Sequence, residues 1–326
     1  MALFKPKRNL KQFYYLKNFI KLAIPDSYFQ NRLQKELNAL SNFDFEYVKK
    51  RVNHYNKLDD LIELPKTVLP LSELKLQKKQ RTYFFDSKTF CRYFNDDLKM
   101  EFLFGDITQI PNVPSIVKSR PISDTNQNSV LFKLNKIRHF NFISDSRTFE
   151  SKKDMLIGMT TVKKRLPHRE KFFELYFNHP LCELGDINRN KEFPQWAKPK
   201  ISLDEHLKYK FVLSIEGEDV ASNLKWIMSS NSIAVTPKLK FETWYMEQTL
   251  VPDYHYIEIN DDYSNLEEKL NFYIAHPEKC LDIIKNANAY TQQFKNKKRE
   301  KLIALLVLEK YFVQTGQLSK RDHNLY

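Results

Sequence analysis

Two places in the chain combine side-chain types at a spacing that could do chemistry. The first is the run Glu216-Gly217-Glu218-Asp219-Val220-Ala221-Ser222-Asn223-Leu224-Lys225, which follows the apolar stretch 211–215. Short apolar runs with β-branched members read as strands buried on both faces, and the polar break with its glycine reads as the turn out of the strand. Val220, Leu224, Ile227 and Met228 then recur on one helical face, with Asp219 placed to cap the first turn. A strand, a glycine turn and a helix N-terminus together present free backbone N–H groups, which suit a phosphate. The same unit also builds α/β domains that bind no anion. The second place is Asp106, just after Phe102-Leu103-Phe104. A carboxylate at a strand end can face a cleft and act as a general base, and it can equally be a plain turn residue.

The elements needed to position these groups are legible nearby. Residues 232–235 and 255–259 read as two further short strands, each followed by turn residues and a helical pattern, and this alternation predicts a parallel sheet. Ser264-Asn265-Leu266-Glu267 has capping-box spacing, Pro277 opens another amphipathic helix, and residues 299–313 form an apolar final helix. The N-terminal part reads as mixed α/β. It has a helix over 26–52 and strand candidates at 81–85, 101–104 and 141–143, and the polar segment 144–155 makes the crossover between domains. Neither GxGxxG nor GxxxxGK[ST] occurs, which argues against dinucleotide and P-loop enzymes.

Composition bounds the function class. A chain of 326 residues, 42% hydrophobic and 14% aromatic, is long enough for two cores. The net charge of +13 arises from 53 basic and 40 acidic residues, so the chain is a basic globular protein whose partners are expected to be anionic. Three scattered cysteines, Cys91, Cys182 and Cys280, offer neither a disulfide framework nor a zinc site. No signal-like or bilayer-length apolar stretch is present, so a cytoplasmic location is expected. The opening sets Lys5, Lys7, Arg8, Lys11, Lys17 and Lys21 among Phe4, Phe13, Tyr14, Tyr15 and Phe19. Such a helix either packs its aromatics on its own domain or lies on an anionic membrane surface, the inner face of the inner membrane.

The segments VLSIEGEDVASNLKWIMSSNSIAV and FETWYMEQTLVPDYHYIEI resemble the capsule-associated-protein-like glycosyltransferases, glycosyltransferase family 90. That family includes bacterial lipopolysaccharide core glycosyltransferases and animal protein O-glucosyltransferases. The resemblance spans roughly residues 95–315 and extends to FGDITQIPNVPSIVKSRPI, which is similar to the family's segment around its catalytic aspartate. It implies a GT-B-like α/β fold of two Rossmann-like domains facing a cleft. Residues 1–150 would form the acceptor side, 151–298 the nucleotide-sugar side, and 299–326 a helix packing across both. It implies an inverting transfer, with no metal and no cofactor, of glucose or galactose from a UDP-sugar to a lipopolysaccharide or lipooligosaccharide core sugar. Asp106 matches the catalytic base. Donor contacts are expected from Gly217, Asp219, Ser222, Asn223, Lys225, Glu242 and Lys210.

Two departures qualify that list. Ile157-Gly158 stands where many relatives have Arg-Gly, and Asn223 stands where the animal branch has arginine, so phosphate binding would fall to Arg165, Arg169 or Arg138. The absence of a secretory signal points to the bacterial branch. Asp261-Asp262 is read as a turn rather than a metal-binding DxD. Two other readings stay open: a basic nucleic-acid-binding protein, for which no RNP, helix-turn-helix or zinc-finger pattern is found, and a glycan-binding relative without catalysis.

Overall fold

A computed structural model describes residues 7–188, 192–321 and 325–326. These divide into two compact units, Met1–Arg138 with Asn296–Tyr326, and His139–Lys295. Both units are α/β with parallel strands.

In the first unit, helix α1 (Lys7–Leu22) has its side chains described from Lys11 onward. The expected single helix over 26–52 is broken into turns at Asp26–Gln30 and Leu33–Asn38 and the helix α2 (Phe45–Tyr55). Asp44 starts α2 afresh by accepting the Tyr47 N–H at 3.0 Å, which satisfies one of the helix's orphan donors. The run 81–85, read as a strand, is the start of helix α3 (Arg81–Cys91). Its Tyr83, Phe84 and Phe85 are all buried because neighbours cover the helix on several sides: Phe85 meets Tyr14, Tyr15 and Phe19 of α1, and Tyr83 meets Phe104. A consecutive aromatic run mimics a strand until tertiary contacts cover it all round.

Strands β1 (Glu101–Leu103), β2 (Ser115–Val117) and β3 (Ser129–Leu131) form a parallel sheet with β2 in the middle, pairing Glu101 with Ser115 and Ser115 with Ser129. The C-terminal helix Lys297–Gln314 belongs to this unit and is buried almost throughout from Leu302 to Val313. Polar side chains fix it in place. Arg51 donates to Glu300 at 3.0 Å, Lys310 to the Asn56 carbonyl at 2.9 Å, and the Tyr311 hydroxyl to the Pro114 carbonyl at 2.9 Å.

The second unit is a five-stranded parallel sheet of β4 (Lys153–Thr160), β5 (Cys182–Asp186), β6 (Tyr209–Leu213), β7 (Ile233–Pro237) and β9 (Ile257–Ile259), with β8 (Phe241–Thr243) a short strand outside it. The spatial order is β9-β7-β6-β4-β5. The strands expected at 211–215, 232–235 and 255–259 therefore exist and are parallel, shifted by up to two residues. The sheet runs outward in opposite directions from β4 and β6, which makes a topological switch point there. Leu156, Leu184, Phe211, Val235 and Ile257 pack with Phe172 and Phe173 of α4 (Pro167–Tyr176), Leu266 and Leu270 of α6 (Leu266–Ala275) and Ile283 of α7 (Pro277–Gln292) in one core.

Three local expectations differ from the structure. The helix expected after Asp219 is one turn, α5 (Leu224–Ile227), with Asn223 at its N-cap. The Asn223 amide instead donates to the Leu213 carbonyl at 2.9 Å and its oxygen accepts from Ser214 at 3.2 Å, so the side chain ties the loop to the strand end. The capping box at Ser264 does not form: Ser264 turns back to Asp262 at 2.7 Å and Asn265 accepts the Asn260 N–H at 2.8 Å. Tyr263, in the left-handed region at φ 69°, redirects the chain before the helix starts. Residues 141–143 form no strand, and the Ile143 N–H is taken by the Ser229 hydroxyl at 2.9 Å.

Candidate active site

Beyond the carboxyl ends of β6, β7 and β9 lies a cleft of about 220 Å³. Ile215, Glu216 and Gly217 reach it from β6, Thr236, Pro237 and Lys238 from β7, and Asp261 and Tyr263 from β9, with His168 of α4 and Lys240 and Phe241 completing the wall. In parallel α/β sheets this end of the strands is where ligands bind.

Arg169 builds the cleft from behind. Its guanidinium donates to the carbonyls of Glu216 at 2.8 Å, Thr161 at 2.9 Å and Ile215 at 3.0 Å, fastening the β6 exit to the β4 exit. A Cβ at Gly217 would lie 3.1 Å from that guanidinium, so glycine is what lets the loop approach so closely. His168 Nε2 lies 2.9 Å from the Glu216 carbonyl; a carbonyl only accepts, so this nitrogen carries the proton. Burial lowers the His168 pKa and keeps the ring neutral.

The Glu216 carboxyl is the cleft's most perturbed acid. Burial pushes it up to about 7, opposed by the backbone N–H groups of Lys240 and Phe241, each donating to one oxygen at 3.2 Å. Lys240 pairs with Asp261 at 3.2 Å on the outer rim. Asp262 faces away into its own turn, accepting from the Ser264 N–H at 3.0 Å, which agrees with the turn reading of this pair.

The residues singled out from the sequence are not gathered in one place. Gly217 lines the cleft, and Arg165 stands outside it, exposed and ion-paired with Glu218. Asp219 is buried in the loop, with Ser222 and Asn223 half-buried behind it. Glu242 is fully buried in β8, next in sequence to Phe241 of the cleft wall. Lys225 does not line the cleft: its ammonium lies 2.5 Å from Glu247 with both side chains wholly buried, and Glu247 also accepts from the Thr243 N–H at 2.6 Å. Lys210 sits near the start of β6, away from its carboxyl end, paired with Asp154 at 2.5 Å.

Asp106 belongs to the first unit, on the loop after β1. Gly105 precedes it at φ +135°, a backbone conformation that L side chains rarely adopt, although a Cβ there would touch nothing. The carboxylate is one-third exposed and pairs with Lys118, whose own side chain is buried just after β2. A buried cation gripping one oxygen of a half-open carboxylate orients the group and leaves it reachable from solvent.

Sequence reasoning pointed to the loop that Glu216 opens without giving Glu216 a role, and it passed over His168, Lys238 and Tyr263 as cleft residues. Lys238 follows directly on the end of β7, and Glu216 and Tyr263 stand in the loops that leave β6 and β9, so position after a strand was the available signal. His168 comes from α4, so only the three-dimensional arrangement brings it in.

The family model for glycosyl transferase family 90 matches residues 152–311, which takes in all five strands of the second unit's sheet. The O-glucosyltransferase LpsA of Dichelobacter nodosus is 36% identical over 309 residues, covering 93% of this chain and 96% of that protein. An uncharacterized protein, 179R, of invertebrate iridescent virus 6 is 32% identical over 117 residues, 34% of this chain and 10% of that one. Similarity along nearly the whole length of a glycosyltransferase, together with the family match over the parallel-sheet unit that carries the cleft, means that the chain belongs to glycosyl transferase family 90 and is a glycosyltransferase.

Proposed function

We propose that the protein is an inverting, metal-independent hexosyltransferase of GT-B type that moves glucose from UDP-glucose to a core sugar of lipopolysaccharide or lipooligosaccharide, with galactose from UDP-galactose the alternative donor. The observation that carries the donor half is the cleft beyond β6, β7 and β9, where the Gly217 loop backbone forms one wall, Phe241 offers an aromatic face, and Lys238 and Lys240 offer cations. The name of the Dichelobacter relative favours glucose. The domain roles follow: His139–Lys295 holds the donor and the other unit presents the base.

In this reading the acceptor hydroxyl attacks the anomeric carbon from the face opposite the diphosphate. Its proton passes to the Asp106 carboxylate while the carbon–oxygen bond to the diphosphate breaks, and the electron pair leaves on the phosphate oxygen. Configuration inverts because attack and departure take opposite faces. The charge that grows on the leaving group needs fixed donors, for which the Gly217 loop backbone, Lys238 and Lys240 line the cleft, while Arg165 would have to leave Glu218 to reach it.

Thermal stabilisation by UDP and UDP-glucose, with ADP and GDP as controls, tests the donor class. Transfer to core oligosaccharides with and without EDTA tests the reaction. Uridine-selective stabilisation with EDTA-insensitive transfer is expected. Turnover that requires a divalent metal, or stabilisation by any nucleotide alike, would overturn the respective part.

A further inference from the structure

In the first unit a cavity of about 350 Å³ opens between α1, the turn at Asp26–Gln30, α3 and the start of the C-terminal helix. Five cations line it, Lys21, Lys88, Arg92, Lys297 and Lys301, and no carboxylate among the described residues does. The rings of Phe29, Phe85, Phe90 and Tyr93 supply much of the remaining wall. A concave space lined by one sign of charge, with apolar walls, focuses its field and concentrates a ligand of the opposite sign.

Three of the cations are answered from outside the cavity. Lys88 and Arg92 share Asp26 at 2.6 and 2.7 Å, and Lys301 pairs with Glu36 at 2.6 Å. Arg92 also donates to the Lys21 carbonyl at 2.9 Å and lies over the Phe29 ring at 3.9 Å, so it braces the wall. Lys21 and Lys297, brought together from the two ends of the chain, have no ion-pair partner among the described residues. Burial first, and then the like charges of Lys136, Lys17, Arg92 and Lys301, push the Lys21 ammonium below its usual range, the condition that a bound anion relieves.

We propose that this cavity is a subsite for a phosphate group carried on the acceptor saccharide, away from the hydroxyl that reacts. Lys21 and Lys297 take the phosphate oxygens, and the rings pack against the C–H faces of the sugar that bears it. The proposal rests on the reading of the protein as a core-sugar transferase, in which this unit presents the base and receives the acceptor. Two features fix the ligand class. Unpaired lysines meet phosphate as point charges, and the cavity falls in the range of roughly 300–1,000 Å³ that holds small organic ligands, far more than a bare phosphate fills. Four aromatic rings would also go unused by an inorganic anion.

The test uses the full chain and a deacylated core oligosaccharide bearing a phosphomonoester, before and after treatment with alkaline phosphatase, with binding read by calorimetry in the absence of donor. Dephosphorylation should weaken binding ~10-fold or more, as expected for losing charge-assisted hydrogen bonds, and salt should narrow the difference. In transfer assays with the same two acceptors the effect should fall on KM rather than kcat. Lys21→Gln with Lys297→Gln should abolish the difference between the two oligosaccharides and keep the wild-type Tm rise with UDP. The wild-type comparison needs no variant to fold. Equal binding of the two oligosaccharides, or a preference that survives in the double variant, would overturn the proposal. So would inorganic phosphate, or vesicles containing phosphatidylglycerol, binding as tightly as the oligosaccharide and lost in the same variant, which would make the cavity a site for a free anion or a lipid headgroup. Transfer that is indifferent to the phosphate would remove the subsite and leave the transferase reading, whereas phosphate-dependent binding without transfer would support the subsite and remove that reading.

Discussion

Lys225 with Glu247 and Lys118 with Asp106 are both lysine–carboxylate pairs, but they sit in very different surroundings. In the first, both side chains are wholly buried and the carboxylate is further occupied by Thr243. In the second, the lysine is buried while a third of the carboxylate surface faces solvent. A closed pair has no lone pair left for a substrate and joins two segments of the fold. A half-open pair holds a carboxylate at a set angle and keeps it reachable. The residue types are alike, and surroundings alone separate an anchor from a candidate base.

Breaking the closed pair should have the largest effect. Lys225→Met leaves the Glu247 charge buried without its counter-ion and should cost about 3–5 kcal/mol, read as a large Tm drop or failure to accumulate folded protein. A Tm near wild type would show that Glu247 finds water or another partner.

Asp106→Asn sharpens the contrast from the other side. Transfer should fall about 10²–10⁴-fold with UDP stabilisation retained and Tm little changed. If the variant transfers normally, Asp106 is a turn residue and the base lies elsewhere.

Between these two, Lys118→Met tests positioning. It removes the buried grip on Asp106, so kcat should fall and the pH profile of transfer should move, while a purely structural role would lower Tm and leave the profile in place.

A smaller effect is expected in the cleft. The Glu216 pKa, about 7 in the folded protein, lies above its ordinary 4.5, so the folded state retains a proton that the unfolded chain has released. Stability should therefore fall as pH rises from about 4.5 through about 7 and level off above. Glu216→Gln, which still offers an oxygen to the Lys240 and Phe241 N–H groups, should flatten that slope in Tm measured from pH 5 to 8. An unchanged slope would place the titration on another group.

Smallest of all, Gly217→Ala places a methyl 3.1 Å from the Arg169 guanidinium and should cost about 1 kcal/mol or less, with a raised KM for the donor. A KM at the wild-type level would show that the donor does not approach this backbone.

The outer face of α1 adds a further contrast within a single helix. The sequence left open whether its aromatics pack inward or meet a membrane. The structure divides them: Tyr14 and Tyr15 go inward while Phe13 stays outside with Leu16 and Ile20. Among the described residues no helix is long and apolar enough to cross a membrane.

The sequence by itself determined the features whose signal is local. Apolar runs bounded by turn residues marked β6, β7 and β9, their alternation with helical patterns implied parallel pairing, Pro277 marked the start of α7, and the segments around Gly217 and Asp106 carried the family. Tertiary structure decided whatever depended on what covers a residue. Tyr83, Phe84 and Phe85 became helix because α1 and Phe104 pack around them. Lys225 became an anchor because Glu247, 22 residues on, met it in the core. His168 joined Glu216 because α4 returns over the sheet. Periodicity reports which face of an element is apolar, but not which distant segment will lie against it, and it is that neighbour which sets burial, pairing and pKa.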